Sequence, residues 1–461
     1  MANEMYPLPP ARPDTLLRIL ATSDLGAALA PMPSSFGQSG TCAGIVDLLE
    51  RERERQPTVW LDAGDLVVGS PAYPLLGRRP WDEVADLPIA AVAAGNHEFD
   101  DGVPALLEAA RTLPFPVLCA NADVGLPASA MVDGAAGTLG VIGLTNPHVD
   151  KFSLGPRVAE DWPDRVEALA RELRERGADW VVALLHDGVE WWPSAGPGGP
   201  PIRTRSDRLD ALARSWARHV DLVLCGHNLC GWAGELDGTP AGHAYVYASS
   251  VLVADVPEAP NGPVVRGSFR VPAVRPSRPS PTVDATDAAP ARVVGESPET
   301  WLTRTGAERY LPDLLAEALR SATGAEAALV LPGFHSTQAP LDGAVAALRA
   351  GPVSELDLVR IFDDADDRPV VGELRPGEFR AAVESYEAIT DPRNREADRV
   401  WWNWCRMPAG TSTATNDPKT VAVMPPVASR HLGEWLGREP AYEAAEVGAG
   451  AREALTRALA P

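Results

Sequence analysis

Five short apolar runs in the first 230 residues each stop at a side chain able to bind a metal. LLRILATSD (16–24) ends in Asp24, TVWLDAGD (58–65) in Asp65, and PIAAVAAGN (88–96) in Asn96. DWVVALLHD (179–187) reaches His186, and DLVLCGH (221–227) reaches His227. The runs are short and rich in Val, Ile, Leu and Ala, and helix-length segments such as AGIVDLLERERER (43–55) and DRVEALARELRERG (164–177) separate them. That alternation predicts buried strands with covering helices, an α/β sandwich. In such sheets ligands gather at the carboxyl ends of strands. One Asp or His at a strand end is an ordinary turn residue; five of them predict a shared site. Carboxylate, amide oxygen and imidazole together suit one divalent ion, Mn, Fe, Zn or Mg, rather than a thiolate-bound metal.

The balance of 63 acidic against 41 basic residues gives a net charge of −22 over 461 residues. Such a chain offers no electrostatic footprint to nucleic-acid backbones or anionic membranes. The expected partner is a small phosphorylated metabolite, with no nucleic acid and no membrane. Neither a basic leader with an apolar core nor an apolar run of about 18 residues is seen. Five cysteines without CxxC spacing predict neither a disulfide framework nor a structural zinc knot. A cytoplasmic location is the expectation.

The pattern divides the chain into a metal-binding domain at 1–273, a Pro- and Ala-rich linker at 274–296, and a smaller α+β domain at 297–461. The second domain is expected to open with a helix over 307–324 and to continue through the strand AALVLPG (327–333). A strand pair around an acidic turn, LDLVRIFDDADDRPVVGEL (356–374), is expected next.

The order Asp, Gly-Asp, Gly-Asn-His-Glu, His, Gly-His resembles the calcineurin-like metallophosphoesterases, and among them the two-domain 5′-nucleotidases. WLDAGDLVVGSP (60–71), GNHEFDDG (95–102) and LDGTPAGHAYVYASS (236–250) carry the likeness in the first domain. LLAEALRSATGAEAALVLPG (314–333) and GPVSELDLVRIFDD (351–364) carry it in the second. The resemblance implies an αββα sandwich followed by a substrate domain. It implies that Asp65 bridges two metal positions, that Asn96, His186 and His227 complete one of them, and that Asp24 serves the other. His97, held by Asp100, would protonate the leaving group or stabilise charge on the transferring phosphoryl, and Glu98 would hold the turn.

Two departures bear on the metals. Gly26 stands where the family's Asp-x-His motif has histidine, and Leu229 stands where its Gly-His-x-His motif has the second histidine. Both losses fall on the Asp24 position, so the resemblance implies a one-metal centre. Cys42, Cys230 and His148 are the nearest alternative donors by sequence. In the second domain PGFHSTQAP (332–340) lacks the family's loop arginine. Phe362 matches one stacking aromatic, and Trp401 and Trp404 offer a replacement surface for the other. The expected activity is metal-dependent hydrolysis of a phosphate ester of a small, nucleotide-like metabolite. Two readings stay open beside it: a degenerate ligand-binding protein, and a single redox metal such as Fe(II) recruited to other chemistry. Retention of His97 with Asp100 favours the esterase, because a bare metal platform needs no acid.

Overall fold

A strand buried on both faces needs an apolar layer on each side, and WVVALL at 180–185 has both. Trp180, Val182 and Leu184 enter one core, while Val181, Ala183 and Leu185 enter another. The structure is a computed structural model that describes residues 8–31, 33–34, 37–70, 72–149, 155–188, 207–227, 231–258, 262–302, 310–330, 347–361, 368–390, 410–424, 432–438, 440–444 and 450–459. The chain divides into two units, Met1–Ala72 with Arg79–Val283, and Tyr73–Arg78 with Asp284–Pro461.

The first unit is built on two six-stranded sheets. One contains β1 (Thr15–Thr22), β2 (Thr58–Asp62), β3 (Ala91–Ala93) and β4 (Val117–Leu118). The other contains β5 (Ser129–Asp133), β6 (Thr138–Leu144), β7 (Trp180–Leu185), β8 (Leu222–Cys225), β9 (Trp232–Leu236) and β10 (Thr239–His243). Strands β11 (Ser250–Pro257) and β12 (Val264–Arg270) close the first sheet as an antiparallel meander, giving the order β12-β11-β1-β2-β3-β4. The second sheet runs β9-β10-β8-β7-β6-β5.

Leu17, Ile19, Val59 and Leu61 of the first sheet meet Val141, Val182, Leu184 and Leu224 of the second in the inner core. An outer core forms where Val166, Ala170 and Leu173 of α3 (Trp162–Glu175) cover the second sheet. Helices α1 (Cys42–Arg53) and α2 (Val103–Thr112) complete the first unit's longer helices, and α1 buries Ile45, Leu48 and Leu49. The expected α/β sandwich is what forms.

The stretch 274–296, expected as a linker, is ordered into α4 (Pro281–Ala288) and the start of β13 (Val293–Ser297). Proline at a helix's first position gives up an N–H that has no intrahelical partner anyway. The Ser280 hydroxyl accepts the Val283 N–H at 3.1 Å, and Thr282 donates to Glu83 at 2.8 Å, so composition misleads here.

In the second unit α5 (Leu311–Thr323) packs Leu315 and Leu319 against Ala328 and Val330 of β14 (Ala327–Val330). LDLVRI, expected as a strand, instead follows β15 (Gly351–Ser354) as α6 (Glu355–Ile361). The cause is a reciprocal cap: Asp357 N–H donates to Ser354 Oγ at 3.3 Å, and Ser354 N–H donates to the Asp357 carboxylate at 2.8 Å. Strands β16 (Val370–Glu373), β17 (Gly410–Thr413), β18 (Thr420–Val423) and β19 (Tyr442–Ala444) complete a sheet in the order β17-β14-β18-β16-β19. Among the described residues no helix is long and apolar enough to cross a membrane.

Candidate metal centre

Strands β1, β2 and β3 run parallel, as do β6, β7, β8 and β10, so their carboxyl ends form a common edge in each sheet. Those ends deliver Asp24, Asp65, Asn96, His186 and His227. Asp24, Asp65 and His227 hold left-handed backbones, with φ of 52°, 58° and 74°. Each such residue costs about 1–3 kcal/mol and persists only where its surroundings fix it.

A carboxylate oxygen of Asp65 and ring nitrogens of His186 and His227 lie within 4.8 Å of one another, all on buried residues. His186 Nε2 is 3.0 Å from Asp65 Oδ2 and 3.2 Å from Asn96 Oδ1. The other ring nitrogen, Nδ1, donates to the Ala63 carbonyl at 2.7 Å. A carbonyl only accepts, so the tautomer is set with Nε2 facing the site. Burial works against charge on His186, yet Asp65 beside it pushes the imidazole up to about 10. Burial and His186 together push His227 down to about 4, the neutral form a ligand needs. The donor set fits a hard or borderline divalent ion. Among the described residues no other group of three His, Cys, Asp or Glu comes so close.

Buried carboxylates hold this set in place. Glu98 accepts the N–H groups of Asp65 and Leu66 at 2.9 Å and of Gly95 at 2.7 Å, tying two strand-end loops together. Burial, and then the charge of Asp65, push Glu98 up to about 7. Gly95 is required by space, since a Cβ there would lie 2.2 Å from Asp65 Oδ1. Asp62 accepts from Thr22 Oγ1 at 2.6 Å and from Gly64 N–H at 2.9 Å, and burial pushes it up to about 7.

At the rim, His97 N–H donates to Asp65 Oδ1 at 2.9 Å, and its ring Nδ1 meets Asp100 Oδ2 at 2.7 Å. The ring is 31% exposed, while the Asp65 side chain is 5% exposed, so His97 lies on the solvent side of the group. Sequence reasoning missed Arg79, which donates to the His97 carbonyl at 3.0 Å and approaches Asp100 at 3.6 Å. No motif marks it, because it reaches the rim from a separate segment.

The Asp24 side is built differently. Asp24 Oδ2 accepts the His227 N–H at 2.9 Å and is bonded by the Ser23 hydroxyl. At Gly26 (φ +54°) a Cβ would lie 2.5 Å from Ser70 N and 3.1 Å from Val68 O, so the backbone leaves no room for a side chain at this position. His243, at the end of β10, places Nε2 3.5 Å from Asp24 Oδ2. Sequence reasoning missed it as well. The signal was present, since Gly242-His243 repeats the Gly226-His227 pair at the end of the neighbouring parallel strand.

Cys42 begins α1, with its thiol pushed up to about 12 by burial and Asp62, and His148 is exposed, its backbone N–H donating to Asn146 Oδ1 at 2.8 Å. Neither joins the Asp65 group. Leu229, Cys230, Phe362, Trp401 and Trp404 lie outside the described residues.

Residues 17–231 match the family model for the calcineurin-like phosphoesterases. The endonuclease YhcR of Bacillus subtilis is 25% identical over 394 residues, covering 75% of this chain and 31% of that protein. The 5′-nucleotidase of Diplobatis ommata is 27% identical over 266 residues, covering 53% of this chain and 40% of that protein. The chain thus spans less than half the length of these curated relatives. A 5′-nucleotidase precursor from Thermus thermophilus superposes with a TM-score of 0.69 at 19% identity over 96% of both chains. A sulfate thiohydrolase from the same species superposes at 0.65 with 15% identity, covering 98% of this chain and 95% of that one. These likenesses establish the two-domain fold, which by itself selects no substrate.

Proposed function

Because residues 17–231 belong to the calcineurin-like phosphoesterases, within a chain folded like the two-domain 5′-nucleotidases, we propose that this protein hydrolyses a phosphate ester of a small, nucleotide-like metabolite. The convergence of Asp65, His186 and His227 within 4.8 Å carries the reading. With Asn96 they make one complete ligand set, which we assign to one tightly held divalent ion. Such an ion supplies Lewis acidity toward a phosphoryl oxygen and brings a bound water's pKa toward neutrality.

The chain's own groups do the rest. Ala63 keeps the His186 Nε2 turned to the ion. Glu98 keeps the Asp65 and Asn96 loops in register. The Asp100 carboxylate accepts the Nδ1–H of His97 and favours its imidazolium form, whose Nε2–H is the proton offered to the leaving oxygen. The nucleotide-like substrate is drawn from the names of the relatives, 5′-nucleotidases among them. The proposed cytoplasmic location rests on five cysteines without disulfide spacing, of which Cys42, Cys119 and Cys225 are buried.

The leaving group tests the acid. p-Nitrophenolate departs without a proton, whereas an alkoxide needs one, and general acid catalysis is worth about 10²–10⁴-fold. His97→Ala is expected to cost that factor on an alkyl phosphate and far less on p-nitrophenyl phosphate, with metal content unchanged. Equal losses on both would remove His97 from the acid role. No turnover of either ester by metal-loaded wild type would make the protein a ligand-binding one.

A further inference from the structure

We propose that His243 is a metal ligand which, with Asp24, forms a second cation position beside the Asp65 set. The inference rests on the metal-centre reading above and adds to it a residue from a different strand.

His243 is fully buried, and among the described residues neither of its ring nitrogens has a hydrogen-bond partner. Buried polar groups are paired in the great majority of cases, and a neutral imidazole brings both a donor and an acceptor. A buried ring left with both nitrogens unsatisfied therefore requires an explanation. Its one charged neighbour in ion-pair range among the described residues is Asp24, with Nε2 to Oδ2 at 3.5 Å. That separation is too long for a hydrogen bond, for which N–H···O distances run about 2.7–3.2 Å. It fits a shared ion: two donors about 2.1 Å from one metal at a tetrahedral angle stand about 3.4 Å apart. In the Asp65 set the corresponding separations from His186 Nε2 are 3.0 and 3.2 Å.

The topology explains how His243 reaches this edge. Strands β8 and β10 are parallel, with Val223 opposite Ala241 and Leu224 opposite Gly242. Their register sets His243 beside Cys225, two residues before His227. The chain beyond β10 then returns to Asp24, since Tyr247 N–H donates to the Asp24 carbonyl at 2.9 Å. Tyr247 and Ala248 take left-handed backbones there, with φ of 53° and 51°. The Asp24 carboxylate is itself oriented by the His227 N–H and the Ser23 hydroxyl, as ligating carboxylates commonly are. Imidazole thus reaches the Asp24 side by a route that bypasses the closed backbone at Gly26.

The test is uptake of Co²⁺ by the full chain, using wild type, His243→Gln and Asp24→Asn, each checked for folding by circular dichroism. Wild type is expected to saturate at two ions, one tight and one weaker. Both variants should keep the tight ion and bind the other at least about 100-fold less well, the upper range for outer-shell partners. In the proton NMR spectrum of the doubly loaded wild type, three exchangeable imidazole N–H signals should be paramagnetically shifted, from His186, His227 and His243. This readout needs no variant, so it stands even where a substitution prevents folding. Saturation of wild type at one ion would overturn the proposal, as would undiminished two-ion binding by His243→Gln. Absence of the tight ion in wild type would instead overturn the metal-centre reading itself.

Discussion

The Asp65 side and the Asp24 side of the centre lie at the same strand ends but differ in how their donors are held. On the Asp65 side several of the proposed ligands are tied down: His186 by the Ala63 carbonyl, Asp65 by the His97 N–H, and the loops at Asp65 and Gly95 by Glu98. On the Asp24 side the carboxylate is oriented, but no hydrogen bond among the described residues fixes the His243 ring. Outer-shell partners of that kind are worth about 10–100-fold in metal affinity. One fold thus supports a preorganised ligand set and a sparse one at adjoining strand ends, with affinities expected to differ accordingly.

The largest test of that asymmetry is His186→Ala. It should eliminate the tight ion and lower phosphatase activity more than about 100-fold, beyond the worth of any outer-shell partner. Retention of the tight ion, measured by elemental analysis after desalting, would erase the distinction between the sides. Gly26→His restores the family motif on paper but not in space. A left-handed backbone plus the contact with Ser70 should destabilise the protein by roughly 2–5 kcal/mol in urea unfolding. A stable variant with a new tight ion would show that the Asp24 side is open after all.

The buried carboxylates predict a smaller effect. In the folded, metal-free protein Asp62 takes up its proton at about 7, against 3.8 for an unperturbed aspartate. Between those values the folded state holds the extra proton, so Asp62's contribution to stability is present at low pH and lost as pH rises to about 7. Asp62→Asn should therefore gain roughly 1–3 kcal/mol relative to wild type between pH 4 and pH 8 in the chelated protein. An unchanged difference across that range would contradict the assignment. Smallest is Arg79→Ala, expected to cost about tenfold in kcat with metal content intact. That is less than the 10²-fold that an ångström of misplacement can cost. A loss of metal instead would make Arg79 part of the ligand framework.

Much of this site is legible in the sequence because each motif residue follows a short buried apolar run on a parallel strand. Asp24, Asp65, Asn96, His186 and His227 are all of this kind, and the glycine before Asn96 is demanded by contact with Asp65. His243 was missed although Gly242-His243 repeats Gly226-His227, because only the fold sets its ring beside Asp24 without a hydrogen-bond partner among the described residues. Arg79 was not legible because its partners, His97 and Asp100, are distant in sequence. Beyond the metal centre the reading failed where short-range capping overrode composition. Ser354 with Asp357 turned an expected strand into α6, and Pro281 began a helix inside an expected linker.

The central claim is that the Asp65 set holds an ion that makes this chain a phosphoesterase. The most direct measurement is turnover of an alkyl phosphate by protein stripped with chelator and then titrated with Mn²⁺. The account predicts no activity when stripped and activity rising with occupancy of the first equivalent. Full occupancy of that equivalent with no hydrolysis would contradict it.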